Sequence, residues 1–468
     1  MSDKFYITTS IAYTNAYPHI GFALELIQAD VIARYNRILG KDVFFLTGTD
    51  EHGIKIVKAA EKAGKDVVQF TNDVSSKFKE LTKALDISND DFIRTSDKKR
   101  HWPTVEKIWK KLIDQGDIYK QKYKGLYCVG CEAFVKEKDL INGECPTHHQ
   151  KPEEIEEENY FFKLSKYADK VKSAIENDEI KIIPQTRKNE ILSFINQGVE
   201  DISCSRSKEN LKWGVPVPGD ESQIVYIWFE ALINYLSALE LSGKENFWPA
   251  DIHCIGKDIF RFHVLLWPAI LLALGKELPK AVFVHGYITS NGEKMSKSLG
   301  NVIDPFELVN KYGLDPVRYF LLRELSSTED GDFTFEKFEE RYNSDLAKGL
   351  GNLVSRVLKL SENIEIDEAF SELDSDIEQT KKDYQKALID FKFNDALSVI
   401  WSLISVCDKY IESVKPWEET ENKIKEISSL IKVIGEIEIL LRPFLPQTSN
   451  KIAEQLKVKK AEALFPRI

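Results

Sequence analysis

The spacing of apolar residues changes twice within the first fifty residues, from strand-like to helical and back. Residues 5–13 form a strand-like run. A helical segment from His19 to a stop at Gly40 follows, with one apolar face: Leu24, Ile27, Val31, Tyr35 and Ile38. The continuous apolar stretch at residues 43–46 predicts a second strand, buried as in a parallel sheet. This strand–helix–strand order predicts a doubly wound α/β fold, which binds ligands at the carboxyl ends of its strands.

An insertion interrupts this pattern. Residues 123–158 are rich in Cys, Gly, Lys and Glu and have little helical periodicity, which indicates a small inserted module. The acidic run within it, at residues 153–158, is expected to be a solvated segment. The α/β signature returns in three apolar runs at residues 224–228, 251–256 and 281–286. We therefore predict one sheet that is split by the insertion.

The last quarter of the chain is purely helical in pattern. Amphipathic segments, with prolines at or near their junctions, are expected at residues 346–363, 374–391, 395–414, 421–441 and 446–457. Such a series predicts an antiparallel helical bundle of roughly 120 residues.

The composition is that of a folded chain, since 43% of the 468 residues are hydrophobic and 30% are charged. The longest apolar run, at residues 264–274, is too short to span a bilayer. The amino terminus has no basic segment followed by an apolar one, so no signal peptide is predicted and a cytoplasmic location is expected. The net charge of −11 disfavours indiscriminate binding to polyanions, but it is compatible with a nucleic acid recognised by local basic patches.

Three of the six cysteines lie close together, with a histidine at metal-binding spacing. Cys128 and Cys131 are separated by two residues, and after 13 further residues Cys145 and His148 repeat that spacing. Two such pairs are typical of a structural zinc site, in which four ligands leave no open position for water. We therefore predict one structural Zn2+ per chain. His149 is an alternative fourth ligand, and the other interpretation is a loop whose cysteines bind no metal.

Two segments have the residues of a phosphate-binding site. His19 and Gly21 lie where the first strand turns into a helix, whose free N–H groups and partial positive charge favour an anion. Residues 294–298, Lys-Met-Ser-Lys-Ser, form a glycine-flanked loop with donors that can close on a transition state. Taken singly, the first could be a helix start without a ligand and the second a solvated basic loop. Together, on two halves of one sheet, they indicate a triphosphate site.

These two segments resemble the paired signatures of class I aminoacyl-tRNA synthetases, and the detailed pattern is most similar to the methionine-specific family. Further matching segments follow in the family's order, from about residue 5 to the end of the chain: residues 10–15, 47–53, 228–235, 256–258, 261–263, 285–287 and 315–319. One departure is Phe22, which stands where the first signature of the family has a second histidine. Its ring can stack on adenine, but one hydrogen-bond donor is lost.

The resemblance implies a ligation in two steps, in which ATP activates L-methionine to methionyl-adenylate and tRNA(Met) then accepts methionine on its 3′-terminal ribose. The methionine carboxylate is already ionised at pH 7, so catalysis depends on positioning and on neutralising phosphate charge rather than on a base. The implied catalytic residues, with Mg2+ bridging the phosphates, are His19, Lys294, Lys297 and Arg206. The implied ATP-binding residues are Gly21, Glu25, Gly256, Asp258 and Ser296.

A methionine pocket must accommodate an unbranched, polarisable thioether that accepts hydrogen bonds only weakly. Aromatic walls with one or two donors aimed at the sulfur suit this side chain. The residues implied by the resemblance are Ile11, Tyr13, Asp50, Trp228, Ala231, Tyr235, Phe262 and His263. The expected donors are the Tyr13 hydroxyl and His263, and Asp50 is expected to bind the substrate ammonium group.

The helical bundle is the implied tRNA-binding end. Asn352 and Arg356, four residues apart on one helix face, resemble the family's anticodon readers, and so does Trp417, whose ring can stack on a splayed base. A monomer is expected, since no dimerisation domain follows the bundle. The expected division has a Rossmann-type catalytic domain in two halves (1–115 and 221–290), a zinc-bearing insertion with the return to the sheet (116–220), the lysine-rich loop with a stem-contact region (291–345) and the bundle (346–468).

Each assignment has an alternative. Arg206 could form a surface ion pair, Glu25 and Asp258 could be carboxylates of a helix start or of the surface, and the pocket aromatics and Trp417 could belong to the core. Three other functions also remain open. A nucleotidyltransferase would need neither the bundle nor the zinc module. A non-catalytic, synthetase-like protein that binds tRNA would have damaged signatures, and another class I synthetase, such as the cysteine enzyme, would have zinc ligands spread around its pocket.

Overall fold

A computed structural model describes residues 3–130, 133–135, 137–146, 149–295, 300–362, 364–366, 371–419 and 421–468. The strands among them are β1 (Lys4–Tyr13), β2 (Asp42–Asp50), β3 (Asp91–Arg94), β4 (Ile118–Cys128), β5 (Ala133–Val135), β6 (Glu153–Phe162), β7 (Lys181–Ile183), β8 (Ile202–Ser203), β9 (Ser205–Ser207), β10 (Pro216–Val217), β11 (Asp220–Val225), β12 (Ile252–Gly256), β13 (Ala281–His285), β14 (Ile288–Ser290), β15 (Glu293–Lys294) and β16 (Gly331–Phe333). The α-helices are α1 (Ile20–Ile38), α2 (Ile54–Lys62), α3 (Val67–Ala84), α4 (Trp102–Asp114), α5 (Leu164–Glu176), α6 (Gln185–Asn196), α7 (Ile227–Ala231), α8 (Asn234–Ser242), α9 (Trp267–Leu274), α10 (Pro305–Tyr312), α11 (Leu314–Arg323), α12 (Phe335–Arg341), α13 (Asn352–Leu360), α14 (Asp374–Ile389), α15 (Phe393–Val414), α16 (Lys423–Leu441) and α17 (Pro446–Val458).

The chain divides into two compact units, and each is made of several segments. The first unit consists of Met1–Pro18, Gly40–Thr82 and Ser88–Val284. The second unit consists of His19–Leu39, Lys83–Ile87 and His285–Ile468.

The largest sheet lies in the first unit, with the strand order β3-β2-β1-β12-β13-β7. β1 is parallel to β2 on one side and to β12 on the other, and the pairs β2–β3 and β13–β7 are also parallel. β1 and β2 are almost continuously buried, as the apolar runs predict for strands covered on both faces. The chain order reverses between β1 and β12, so the carboxyl ends of these strands form the switch point at which doubly wound sheets bind ligands. The predicted α/β fold with a parallel sheet is confirmed.

Two parts of the strand prediction differ from the structure. Residues 224–228 do not add a strand to the parallel sheet: β11 pairs with β9 and β10 in a small antiparallel sheet, and the chain enters α7 at Ile227. Ile224 and Val225 are as deeply buried as residues of a parallel strand, so the apolar run alone cannot reveal the sheet to which they belong. The edge strands β3 and β7 were not predicted, because their four and three residues are too few to show a pattern.

The insertion contains a sheet with the order β5-β4-β6-β8. The acidic run at residues 153–158 forms the first half of β6, antiparallel to β4, and Lys124 pairs with Glu154 at 2.9 Å. The glutamates of this run whose side chains are described are exposed, as expected for a solvated segment. The strand formed by this acidic run was therefore not predicted from its charged composition.

The second unit contains the predicted helical region. α13 to α17 agree with the five amphipathic segments to within a few residues at most ends, except that residues 342–351 form a π-helical segment before α13. Consecutive helices α14 and α15, and α16 and α17, pack against each other. Their buried face is aliphatic, with Leu353, Val357, Leu403, Ile434 and Leu441 at most 1% exposed. Within the described part of the chain, no helix combines the length and the apolar composition that crossing a bilayer requires.

Candidate active site

His19 caps the amino terminus of α1 in the second unit. Its Nδ1 accepts a hydrogen bond from the Gly21 amide at 3.1 Å, with an extended backbone at the cap. Because Nδ1 is the acceptor, the proton of the neutral ring is on Nε2, the atom that can donate to a phosphate. A Cβ atom at position 21 would lie 2.9 Å from His19 Cε1, so glycine makes room for this arrangement. The structure thus explains why histidine and glycine stand two residues apart.

Lys294 ends a short hairpin of β14 and β15 in the same unit. Asn291 and Gly292 both have positive φ, at 53° and 76°, which is the geometry of the two-residue turns that join twisted strands. The Asp332 carboxylate fixes the turn, since its Oδ1 accepts from Gly292 N and Thr289 Oγ1, each at 2.7 Å. Lys294 is exposed at the end of this hairpin. Ser296 and Lys297 lie outside the described residues.

Arg206, in the first unit, is not a surface residue. It is 5% exposed, and its Nη1 donates to the carbonyl of Ser205 at 2.7 Å and to Ser203 Oγ at 2.9 Å. Its guanidinium lies 4.2 Å from the centroid of the Tyr226 ring. The alternative of a surface ion pair is therefore wrong. A buried cation beside an aromatic face is suited to binding an anionic group.

Glu25, on α1 in the second unit, is a buried carboxylate paired with a histidine. His285 Nε2 lies 2.8 Å from Glu25 Oε2, and His285 Nδ1 lies 2.8 Å from the carbonyl oxygen of Gly286. Both ring nitrogens of His285 thus lie within hydrogen-bond distance of an oxygen atom. In the first unit, Gly256 is buried at the carboxyl end of β12, and Asp258 is exposed in the following turn.

Tyr13 and Asp50 are brought together by the register of two parallel strands in the first unit. They are directly paired at the ends of β1 and β2, after an irregularity between Thr8 and Ile11. Asp50 is 4% exposed, and its backbone carbonyl accepts from Thr14 N at 3.0 Å. Asp50 thus lies at the carboxyl edge of the sheet, beside the switch point.

The residues expected to surround the methionine side chain, here called the methionine wall, form a partly exposed layer and a deeper, buried layer. Trp228 and Phe262 stack with their ring centroids 4.1 Å apart and an interplanar angle of 4°. Four residues are partly exposed and pack on the core of the first unit, namely Ile11, Tyr13, Trp228 and Phe262. Three lie buried in that unit, namely Ala231, Tyr235 and His263. Phe262 and His263 open a π-helical turn, Phe262–Leu266, a feature that occurs often at functional sites.

His263 already has partners for both ring nitrogens. Nδ1 lies 3.0 Å from the Ile259 carbonyl oxygen, which can only accept, so Nδ1 carries a proton. Nε2 lies 2.8 Å from the Tyr235 hydroxyl, which donates to it when the ring is neutral. The neighbouring His253 is fully buried, and burial together with the nearby His263 holds the pKa of His253 well below its ordinary value. In this arrangement His263 orients Tyr235, which differs from its expected role as a donor to sulfur.

Sequence reasoning did not single out Glu230, which lies between Trp228 and Ala231 on α7. Its carboxylate is fully buried and hydrogen-bonded to two histidines, His52 and His101. The nearest sequence signal is that His52 follows Asp50 by two residues in a segment that matches the family. The partners are 178 and 129 residues distant from Glu230 in the chain, so no local pattern connects them.

Two of the four expected zinc ligands are described. Cys128 ends β4 and Cys145 follows the tight turn at Asn142–Gly143, and both are at most 2% exposed. Cys131 and His148 lie outside the described residues, and no metal-binding group of three or more ligands occurs among the residues that the structure does describe. His149, the alternative ligand, is exposed, and its backbone amide donates to the Cys145 carbonyl at 2.8 Å. Buried cysteines beside turns have the chemistry and geometry of zinc-knuckle ligands.

Two of the three expected anticodon readers meet in the second unit. The Arg356 guanidinium lies 5.2 Å from the centroid of the Trp417 ring, and Trp417 is 50% exposed. Asn352 is exposed one helical turn before Arg356 at the start of α13. The half-exposed indole is therefore not a core residue. It presents a face on which a base can stack.

Comparison with known families defines the class. The family described as tRNA synthetases class I (M) matches residues 5–156 and 135–358, and the anticodon-binding domain of tRNA ligase matches residues 371–466. The switch-point sheet, the capped helix and the helical bundle are those of a class I aminoacyl-tRNA synthetase.

Individual relatives make the assignment more specific. The chain is 42% identical to the methionine–tRNA ligase of Caldanaerobacter subterraneus subsp. tengcongensis, over 100% of this chain and 79% of the relative. It is 42% identical to that of Thermotoga maritima, over 96% and 74%. The structure of Mycobacterium tuberculosis methionyl-tRNA synthetase in complex with methionyl-adenylate matches with a TM-score of 0.92 and 35% identity, over 99% of this chain and 100% of that chain. The chain belongs to the methionine–tRNA ligase family.

Proposed function

We propose that the chain ligates methionine to tRNA(Met) in two steps. In the first step, a carboxylate oxygen of methionine attacks the α-phosphorus of ATP, the bond to the bridging oxygen of the β-phosphate breaks, and pyrophosphate leaves. In the second step, a hydroxyl of the 3′-terminal ribose attacks the carbonyl carbon of methionyl-adenylate, and AMP leaves with the electron pair. The hydroxyl proton is released in this step.

The phosphate-binding residues act by charge and position. His19 Nε2 donates to a phosphate oxygen as charge develops, and Lys294, Lys297 and Arg206 neutralise the triphosphate. Gly21 lets a phosphate approach the backbone closely, and Ser296 contributes a hydroxyl group. Mg2+ that enters with ATP supplies further neutralisation of the phosphates.

The nucleoside is assigned to the remaining ATP-binding residues. Gly256 lets the substrate approach the end of β12, and Glu25 and Asp258 accept hydrogen bonds from ribose hydroxyls. The Glu25 carboxylate is held in position by His285 at 2.8 Å, which leaves its orientation fixed before ATP arrives.

The observation that carries the methionine assignment is the register of β1 and β2. It sets the Asp50 carboxylate beside Tyr13 at the end of the sheet, where an ammonium group and an aromatic-lined side chain are accommodated together. Ile11, Trp228, Ala231 and Phe262 line the thioether, with the Tyr13 hydroxyl as the donor to sulfur. His263 contributes by holding the Tyr235 hydroxyl in the buried layer at 2.8 Å.

The insertion is assigned one structural zinc ion. Cys128, Cys131, Cys145 and His148 are its ligands in this proposal, supported by the two buried cysteines and their spacing. The ion stabilises the inserted module, because metal binding contributes free energy to folding. Metal analysis of protein purified in a reductant should find one zinc per chain, and clearly less than one would contradict the assignment.

The bundle is assigned the anticodon. Asn352 and Arg356 offer hydrogen-bond donors and acceptors to base edges, and Trp417 offers its exposed face for stacking. The domain division at residues 1–115, 116–220, 221–290, 291–345 and 346–468, the monomeric state and the cytoplasmic location belong to the same proposal.

The test of the activity is ATP–pyrophosphate exchange with each of the twenty amino acids, without tRNA. Exchange with methionine alone supports the enzyme class and the pocket together. Exchange with another amino acid would retain the fold and reject the methionine pocket. No exchange with any amino acid would reject catalysis and direct attention to Phe22, since a protein that binds tRNA without activating an amino acid gives this result.

A further inference from the structure

Three buried side chains of the first unit form a hydrogen-bonded network that no step of the proposed reaction uses. Glu230 Oε1 lies 2.7 Å from His52 Nδ1, and Glu230 Oε2 lies 2.7 Å from His101 Nε2. The three residues are at most 1% exposed. His101 Nδ1 continues the network to Ser237 Oγ at 2.9 Å. One buried carboxylate is thus shared by two imidazole rings.

The network joins the two segments that carry the proposed methionine ligands. His52 follows Asp50 by two residues in the loop after β2, whereas Glu230 lies on α7 between Trp228 and Ala231. Removing the carboxylate would therefore remove a direct link between the ammonium-binding loop and the helix of the side-chain wall.

The loop is also held by its neighbours, so its position is over-determined. Arg94 forms two hydrogen bonds with the Glu51 carboxylate, at 2.6 and 2.8 Å, and Trp213 Nε1 donates to the Glu51 carbonyl. The His52 ring packs edge-on against Trp213, with centroids 5.3 Å apart. A loop constrained at the two residues that follow Asp50 can hold that carboxylate in one direction.

Histidine at position 52 is not explained by stability alone. Its Nε2 is buried and has no hydrogen-bond partner among the described residues. An unsatisfied buried nitrogen costs stability, and the hydrogen bond of this ring among the described residues is the contact of Nδ1 with Glu230. Burial by itself would raise the pKa of Glu230, but the charges and hydrogen bonds of His52 and His101 outweigh it, and the pKa of Glu230 is lowered. Glu230 is thus an anion at neutral pH.

We propose that Glu230 is a positioning residue of the methionine site, which acts through His52 to fix the Asp50 carboxylate relative to Trp228 and Ala231. This inference rests on the proposed methionine-binding roles of Asp50 and Trp228. Neither His52 nor Glu230 is required to touch the substrate. Loss of the network should therefore weaken methionine binding selectively and leave ATP binding intact.

The test compares Michaelis constants in ATP–pyrophosphate exchange. Glu230→Gln keeps the shape of the side chain but loses the charge-assisted hydrogen bonds, and should raise the KM for methionine about tenfold with the KM for ATP within about twofold of wild type. His52→Ala should do the same, and the double variant should be no worse than either single variant, because both break one link. His52→Asn, which can still donate to Glu230, should restore a KM within about threefold of wild type.

Asp117→Asn provides the matched control. Asp117 is another buried carboxylate of the first unit, 2% exposed, with hydrogen bonds from Lys166 and Tyr167. The variant should lower the melting temperature without changing the KM for methionine. An equal rise in the KM for methionine in this control, or equal rises for methionine and ATP in Glu230→Gln, would reduce Glu230 to a structural role and overturn the proposal.

Asp50→Asn separates this proposal from the assignment of the site. A raised methionine KM in Asp50→Asn, with a wild-type value in folded Glu230→Gln, overturns the positioning role alone. Wild-type values in both variants overturn the methionine site itself. If Glu230→Gln does not fold, His52→Ala provides the same comparison, because it leaves the buried carboxylate with its partner His101.

Discussion

The proposed phosphate-binding residues and the proposed methionine-binding residues, called the phosphate end and the methionine end, are constructed in opposite ways. At the phosphate end, two arrangements come from neighbours in sequence: His19 caps Gly21, and the Asn291–Gly292 turn ends two residues before Lys294. At the methionine end, the partners are distant in sequence and meet only in the folded first unit, as Trp228 and Phe262 do in their stack. His19 and Lys294 are exposed, whereas the deeper layer of the methionine wall is buried.

The difference follows from the two ligands. A triphosphate carries enough charge to be recognised by a few well-placed donors, each worth about 3 kcal/mol in the transition state. A methionine side chain offers mainly apolar surface, and its full burial is worth only about 1.5–3 kcal/mol. Selectivity for it must come from a packed and pre-formed wall. A charged ligand can be recognised by short local motifs, whereas recognition of an apolar side chain by its shape requires packing between residues distant in sequence.

The largest expected effect lies at the one charged contact of the methionine end. Asp50→Ala removes the partner of the substrate ammonium group and should lower methionine-dependent exchange about a thousandfold, equivalent to about 4 kcal/mol. The fold should remain, because the backbone carbonyl that accepts from Thr14 is unchanged. Exchange kinetics measure the loss of activity, and circular dichroism shows whether the fold is retained. Wild-type kinetics in this variant would show that Asp50 does not bind the substrate ammonium group. That result would also contradict the contrast drawn between the two ends.

The same contrast determines how much could be predicted from the sequence. The five helical segments of the bundle and the first two strands follow directly from apolar spacing, and the phosphate-binding segments are contiguous. The partnership of Tyr13 with Asp50 was suggested only by the family resemblance, since strand register is not a local property. Glu230 and His101 gave no signal, because their meeting depends on segments 129 residues apart. β11 was placed in the wrong sheet for a similar reason.

The second largest effect should appear at the phosphate end. His19→Asn keeps a side chain that can cap Gly21 but removes the Nε2 donor, and should lower the kcat of exchange about a hundredfold. The KM for methionine should stay within about twofold of wild type, because the two ends are built independently.

His19→Ala is the control for the cap. It should lower kcat similarly and also destabilise the second unit, since a lost helix cap costs about 1 kcal/mol. A methionine KM that rises as strongly as kcat falls in His19→Asn would show that the two ends are coupled.

A smaller effect is expected at the tRNA-binding end. Arg356→Ala removes the cation beside the Trp417 ring and should raise the KM for tRNA(Met) in aminoacylation about tenfold. Exchange without tRNA should not change, because neither end of the active site is touched. Lys359→Ala, which removes an exposed charge from the same helix, should have little effect on either assay. Equal losses in the two variants would indicate a general charge effect rather than recognition by Arg356.

The smallest expected effect concerns the hairpin of β14 and β15 that carries Lys294. Burial by itself would raise the pKa of Asp332, but its hydrogen bonds from Gly292 and Thr289 outweigh this, and the pKa of Asp332 is lowered. A lowered folded-state pKa contributes stability above the unfolded-state pKa of about 3.9, and this contribution is lost as the pH falls through the folded-state value. Asp332→Asn should therefore lower kcat only about twofold, and its deficit in melting temperature should be the same at pH 8 and pH 5. A deficit that disappears by pH 5 would show that Asp332 is not held ionised by the turn, and a tenfold loss of kcat would show that a rigid hairpin matters as much as the donors it presents.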